Sequence, residues 1–113
     1  MRILHVFSSI PVVERDAAVE WYERFAGRPA DLIPNDSEAA WQLTDSSWIY
    51  LVAEPARAGS SLNTLLVDDL DTFVMGRTDR GIAFDPIETM GNGARFVTVC
   101  DPDGNRLKVA QAQ

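Results

Sequence analysis

Apolar residues in this chain recur first with the alternation of a β-strand and then with the spacing of an α-helix, and this order occurs twice. In the first half, residues 2–10 alternate as a β-strand does, and residues 14–25 have the apolar spacing of a helix that ends at Gly27. Pro11 is expected to end the pairing of the first strand. Three short strand segments complete this half: residues 30–33, 38–43 and 48–53.

The second half repeats that order. Residues 62–67 predict a strand, and residues 69–80 predict a helix that Gly81 ends. Its buried side should carry Leu70, Phe73, Val74 and Met75. Three further strands are predicted at residues 83–90, 95–100 and 106–110.

The turns before the last strands also match. When residues 48–51 are laid over residues 106–109, Asp45 falls on Asp103 of the turn at residues 101–105. We interpret this as an internal duplication within one domain, residues 1–113, with a first module at 1–55 and a second at 61–113. The predicted fold is α+β: two βαβββ modules form curved mixed β-sheets around a cleft, with the helices on the outer face.

Composition and charge narrow the class of protein. The chain is 46% hydrophobic and 24% charged, as expected for one globular domain. Its net charge of −7 and scattered basic residues argue against binding nucleic acid or an anionic membrane. A single cysteine, Cys100, leaves no internal disulfide, and polar residues interrupt the apolar N-terminal segment. We expect a cytoplasmic protein.

Three motifs, spread over almost the whole chain, resemble the vicinal-oxygen-chelate (VOC) superfamily of glyoxalases, bleomycin-resistance proteins and extradiol dioxygenases. They are Ile10-Pro11-Val12 followed by Trp21-Tyr22-Glu23-Arg24 and Gly27; Leu66-Val67-Asp68-Asp69-Leu70; and Asp101-Pro102-Asp103-Gly104-Asn105 with Leu107 and Val109. The resemblance implies the duplicated fold, but several chemistries share that fold.

The resemblance also implies four positions for the ligands of a divalent metal. In this chain they hold Phe7, Tyr50, Leu62 and Lys108. Phe, Leu and Lys are not donors for a hard cation, so we expect that the metal site is lost and that no cofactor is bound. The only histidine, His5, remains open as a shifted metal ligand or as an acid or base in the cleft.

Strand alternation extends these positions to a binding face. Ser9 shares a face with Phe7, and Arg106 shares one with Lys108, whereas Val6, Ile10 and Val12 should pack under the helix. The predicted ligand-binding residues are His5, Phe7, Trp48, Tyr50, Leu62, Thr64 and Lys108. Such a cleft suits a flat or apolar molecule, with an anionic group near Lys108 or Arg106. The alternative is that these aromatic residues only fill the core, and Trp41 could face either way.

The leading hypothesis is a metal-independent small-molecule binding protein, similar to VOC members that sequester an antibiotic. One alternative is a metal-dependent lyase, isomerase or dioxygenase with shifted ligands, and another is a dimeric interaction module without a ligand. The resemblance implies a homodimer. Trp21 and Tyr22, on the apolar face of the first helix, are expected to lie in the core or at a subunit contact. Whether the cleft forms within one chain or across a dimer stays open. Asp101 and Asp103 are expected to form the turn rather than to take part in catalysis.

Overall fold

A computed structural model describes residues 1–112 and contains two helices and two sheets. Gln113, the last residue of the predicted second module, lies outside the described residues. The elements are β1 (Val6–Val12), α1 (Arg15–Ala26), β2 (Glu38–Thr44), β3 (Ser47–Ala53), a 3-10 turn (Pro55–Arg57), β4 (Leu62–Leu66), α2 (Leu70–Thr78), β5 (Glu88–Thr89), β6 (Arg95–Cys100) and β7 (Arg106–Gln111). Within residues 1–112, neither helix is long and apolar enough to cross a membrane.

The two sheets repeat one topology. Their strand orders are β1-β3-β2 and β4-β7-β6-β5, and in each the first strand of the half runs parallel to its last strand. The register repeats as well, because the pairs Phe7–Trp48 and Ser9–Tyr50 correspond to Leu62–Arg106 and Thr64–Lys108. The predicted α+β fold with mixed sheets is therefore confirmed.

Two predicted strands are largely missing. Residues 30–33 form only an isolated bridge between Leu32 and Ala40, and of residues 83–90 only Glu88–Thr89 is a strand. Both predictions were wrong for the same reason. Pro29 and Pro34 flank the first segment and Pro86 interrupts the second, and proline has no N–H to donate to a sheet.

The first strand begins later and ends later than predicted. It starts at Val6 and continues through Pro11 to Val12, with Pro11 paired to Val52. Proline is tolerated there because β1 is an edge strand of its sheet. Ile10 and Val12 are fully buried as expected, but Val6 is exposed. Helix α1 therefore covers only the C-terminal part of β1.

Helix α1 ends as the sequence predicts. Gly27 has the left-handed φ of 79°, and its N–H donates to the Glu23 carbonyl at 2.8 Å. Helix α2 is shorter than predicted and begins after Asp69, whose side chain accepts from the Thr72 N–H. Leu70 is buried on its inner side, but Met75 is exposed.

Leu70 of α2 packs with Val97 and Val109 in a small buried cluster, and a larger core contains residues of α1 and of both sheets, with Phe73 of α2 packed against it. The rings of Phe25 on α1 and Phe73 on α2 are 5.8 Å apart. Trp41 points into this core, where its Nε1 donates to the Arg28 carbonyl at 3.0 Å. Trp21 and Tyr22 are buried there too. Of the two roles expected for these residues, a place in the core or a contact with another subunit, the structure supports the first, because the chain's own core covers them.

The turn before β7 joins distant parts of the chain. The buried Asp101 carboxylate accepts the Tyr22 hydroxyl at 2.8 Å and the Asn105 side-chain amide at 2.9 Å. Asn105 in turn donates to the Pro11 carbonyl at 2.7 Å and accepts the Ser61 N–H at 3.1 Å. Asp101 and Asn105 therefore hold β1, α1 and the start of β4 together, besides forming the turn.

Candidate ligand-binding face

The predicted binding residues lie on the side of each sheet that faces away from the helices. Ile49 and Leu51 are buried on β3, and Leu107 and Val109 are buried on β7. Because side chains alternate along a strand, the residues between them point to the opposite face. Trp48, Tyr50 and Lys108 are accordingly only partly buried.

On the first sheet, four side chains form an aromatic cluster: His5, Phe7, Trp48 and Tyr50. Phe7 and Trp48 occupy paired positions, and their rings stack with centroids 5.2 Å apart and planes 16° from parallel. Tyr50 meets Phe7 edge to face at 6.4 Å. His5 lies 6.4 Å from Phe7 and 6.2 Å from Trp48. The structure thus brings these four predicted residues together.

His5 is held by a hydrogen bond within the cluster. The Trp48 Nε1–H donates to His5 Nδ1 at 3.2 Å, and an Nδ1 that accepts this bond leaves Nε2 as the N–H donor of the ring. His5 precedes β1 and is exposed. Its Nε2–H is therefore available to a ligand lying against the cluster.

A cavity of about 250 Å³ adjoins the cluster. Phe7 and Tyr50 line it from β1 and β3, Glu38 lines it from the start of β2, and Leu32 and Pro34 line it from the connection between α1 and β2. Leu32, Pro34 and Glu38 were not predicted to line a site, and Leu32 was expected in a regular strand at residues 30–33. A carboxylate at the rim gives this cavity one polar group that the sequence analysis did not include.

On the second sheet, Lys108 is the central polar residue. Its Nζ lies 4.4 Å from the centroid of the Phe96 ring, a cation–π contact. Thr64 is paired with Lys108, and Leu62 lies two residues earlier on β4. Phe96 was not among the predicted binding residues. It is paired with Ala110, which lies two residues from Lys108 on β7, so the two side chains share a face. Predicting the register of β6 and β7 would have identified Phe96.

The aromatic cluster and the Lys108 group lie on neighbouring sheets. Edge strand β1 adjoins edge strand β4, where the Ser8 hydroxyl donates to the Asn63 side-chain oxygen. Both faces point away from the helices, and Phe7 and Leu62 on them are exposed. The structure therefore places the seven predicted residues in two groups on one side of the molecule.

The four positions of the family's metal ligands do not fit a metal ion. Only the Tyr50 phenol among them offers an oxygen donor, whereas Phe7 and Leu62 offer none and Lys108 brings a positive charge. Within residues 1–112, no three His, Cys, Asp or Glu side chains are grouped so that they could hold an ion.

No protein-family model matches the chain, and no curated protein does. Among solved structures, a glyoxalase/bleomycin resistance protein from Catenulispora acidiphila DSM 44928 is 35% identical, with a TM-score of 0.92 over 97% of this chain and 99% of the other. An antibiotic-binding protein from Streptomyces sp. CB03234 is 25% identical, with a TM-score of 0.77 over 100% and 99%. A bleomycin-binding protein complexed with bleomycin is 22% identical, with a TM-score of 0.79 over 96% and 98%, and shows likeness of fold. The extent of the first match, at that identity, shows that this chain belongs to the glyoxalase/bleomycin resistance protein family of the VOC superfamily.

Proposed function

We propose that this protein binds a small, flat apolar or aromatic molecule against the aromatic cluster, without a divalent metal. The stacked Phe7–Trp48 pair, with centroids 5.2 Å apart, carries the proposal. Neither ring is fully buried, so the pair leaves aromatic surface in contact with water. Covering that surface with a flat ligand would be favourable through burial and stacking.

The surroundings of the pair suit such a ligand. The adjoining cavity of about 250 Å³ is bounded mainly by apolar side chains, with Glu38 at the rim. His5 offers an N–H donor beside the rings. Lys108, on the neighbouring sheet, supplies a positive charge for an acidic group of the ligand.

Relatives of similar structure support this class of ligand. One similar structure is described as an antibiotic-binding protein and another as a bleomycin-binding protein with bleomycin bound. Both structures align with nearly the full length of this chain. The metal-independent form of the proposal rests on the residues at the four ligand positions, of which three are poor donors.

We further propose that two copies of the chain pair through this side of the molecule and complete the cleft. Three large apolar side chains on the binding faces are strongly exposed: Phe7 at 48%, Leu62 at 53% and Leu66 at 73%. Exposed apolar surface of this kind marks interaction sites. In a twofold dimer, the aromatic cluster of one copy would face the Lys108 group of the other.

Tryptophan fluorescence tests the ligand proposal. Trp21 and Trp41 are buried in the core, so quenching by an added ligand reports mainly on Trp48. We expect at least one compound in a panel of planar aromatic molecules to quench saturably, and the Trp48→Phe variant to lose that quenching. No saturable change across the panel would favour an interaction module without a ligand.

The metal-dependent alternative is tested separately. His5 and Tyr50 both flank Phe7, at centroid distances of 6.4 Å, and the Glu38 carboxylate lines the adjoining cavity, so these three side chains could contribute to a shifted metal site. Calorimetric titration with Ni, Zn, Mn and Fe(II) is expected to give no tight site in the unmodified protein. A tight site that disappears in His5→Ala would support the metal-dependent enzyme instead.

A further inference from the structure

An open groove lies where the end of α1, the β2–β3 hairpin, β4 and α2 meet, and Leu66 of the proposed dimer contact lies on its border. Its volume is about 350 Å³, within the range of roughly 300–1,000 Å³ that is typical of small-molecule sites. Phe25, Phe73, Ile49 and Leu65 form its apolar walls. Of the seven predicted binding residues, Thr64 alone borders it, and no member of the aromatic cluster does.

The groove is positively charged in an acidic protein. Its lining contains two arginines, Arg28 and Arg77, and no Asp or Glu, although the whole chain has 17 acidic and 10 basic residues. Arg28 already pairs with Asp31 at 3.2 Å. Arg77 takes part in none of the ion pairs found among residues 1–112. The uncompensated charge of the groove is therefore that of Arg77.

Arg77 is held in place by aromatic rings and not by an anion. Its guanidinium carbon lies 3.6 Å from the centroid of Phe73 and 5.6 Å from that of Phe25. Its Nε is buried, and among residues 1–112 it forms no hydrogen bond. Burial, and next the positive charge of Arg80, lower the pKa of Arg77 below its usual value. A buried donor without an acceptor is costly, and a bound anion would remove that cost.

We propose that this groove is a second binding site, which takes a small molecule with a flat apolar body and one acidic group such as a carboxylate or sulfonate. The apolar body lies along Phe25, Ile49 and Leu65, and the acidic group pairs with the guanidinium of Arg77. Three features together favour this ligand chemistry: the buried Nε that forms no hydrogen bond, the aromatic walls, and the lack of acidic residues in the lining. The site does not depend on the aromatic cluster.

An amide-resolved NMR titration of the whole protein tests the proposal, because it separates the groove from the aromatic cluster. The probes are naphthalene-2-carboxylate and its neutral counterpart, naphthalene-2-carboxamide. We expect the carboxylate to shift the amides of Val67 and Phe73 saturably, and the carboxamide to do so at least about tenfold more weakly. Equal affinity of the two probes at these amides, or no shift there with the carboxylate, would overturn the proposal.

Two arginine variants locate the anion. Arg77→Met should weaken carboxylate binding at the groove about tenfold and leave the shifts around Trp48 unchanged. Arg57→Met is the matched control, since Arg57 is exposed on the 3-10 turn and does not line the groove, and it should have no effect. An equal loss in both variants would contradict a specific role for Arg77. If Arg77→Met does not fold, Arg77→Lys takes its place, because lysine keeps the positive charge but lacks the planar set of donors. Arg77→Lys should bind the carboxylate with reduced affinity. Undiminished binding would contradict the proposal.

The same variant distinguishes a small molecule from a second protein copy. If another copy of the chain covered the groove, Arg77→Met would shift the self-association measured by sedimentation equilibrium and leave carboxylate binding unchanged. That result would overturn the proposal. We expect the self-association to be the same for Arg77→Met and the unmodified protein.

Discussion

At the scale of single residues, buried polar side chains do the most to fix the fold. Tyr22 carries a hydroxyl into the core, where Asp101 accepts it at 2.8 Å. The spacing of apolar residues in α1 predicted that Tyr22 lies on the inner face of a helix, but not its partner, which is 79 residues away in the chain. The sequence likewise identified Asp101 and Asn105 as turn residues through their local conformational preferences. Their bonds to Tyr22, Pro11 and Ser61 depend on the folded chain and could not be predicted from the turn alone.

Replacing Tyr22 with Phe should destabilise the protein by about 1–3 kcal/mol at neutral pH, because the buried Asp101 carboxylate loses one of its donors. Urea unfolding measures this loss. Tyr50→Phe is the matched control, since Tyr50 lies on the partly exposed face and forms no comparable buried bond. A loss for Tyr22→Phe no larger than that for Tyr50→Phe would contradict this role.

The same residue should make the stability depend on alkaline pH. Burial, followed by the Asp101 charge, raises the pKa of Tyr22 above its ordinary value of 10.0. A raised pKa in the folded state gives a stabilisation that is complete below pH 10 and falls as the pH rises above it. Between about pH 9 and about pH 11, the free energy of unfolding should therefore drop more in the unmodified protein than in Tyr22→Phe. Parallel curves for the two proteins would show that Tyr22 does not contribute.

At the scale of elements, the sequence predicted order and type well, and failed where proline interrupts the pattern. Alternation identified β1, β3, β4, β6 and β7, and the stop at Gly27 was located correctly. The segments at residues 30–33 and 83–90 have the right apolar composition, but their prolines and connecting loops limit the pairing. The loop before β4 shows another long-range constraint. Gly59 has φ of 86° and packs against the backbone at Asp103.

Gly59→Ala should destabilise the protein by about 2 kcal/mol or more. The left-handed backbone disfavours any side chain, and an added Cβ would lie only 2.4 Å from the Asp103 carbonyl oxygen. Thermal and urea unfolding measure the effect. Gly91→Ala is the control, because a Cβ there meets nothing within 4 Å, and its stability should be nearly unchanged. Equal effects of the two substitutions would contradict the close packing of the loop on the turn.

At the scale of the whole molecule, the internal repeat predicted the architecture, and strand alternation predicted which side chains of each sheet point away from the core. The repeated register shows why this worked: equivalent residues of the two halves occupy equivalent places in the two sheets. The groove at Arg77 was not predicted. Its walls come from α1, the β2–β3 hairpin, β4 and α2, which are separate in sequence, and no local pattern reveals that they meet.

The proposed dimer gives a prediction at this scale. Sedimentation velocity should give about twice the chain mass of 12.5 kDa, and Leu66→Glu should shift the protein toward the monomer. The control is Met75→Glu, which places the same charge at another exposed apolar residue, on α2 and away from the binding faces. It should remain dimeric. A monomeric unmodified protein, or equal dissociation of both variants, would contradict pairing through the binding faces.

Binding of a ligand to the aromatic cluster without a metal can be measured by calorimetry on protein dialysed against a chelator. The quantity compared is the dissociation constant of the best quenching compound for the unmodified chain and for Trp48→Ala. We predict saturable binding that added Zn or Mn does not strengthen, and an affinity about fivefold or more weaker in Trp48→Ala, since the loss of one stacked ring costs about 1 kcal/mol. Binding that appears only after metal is added, or that is unchanged in Trp48→Ala, would contradict metal-independent binding at the cluster.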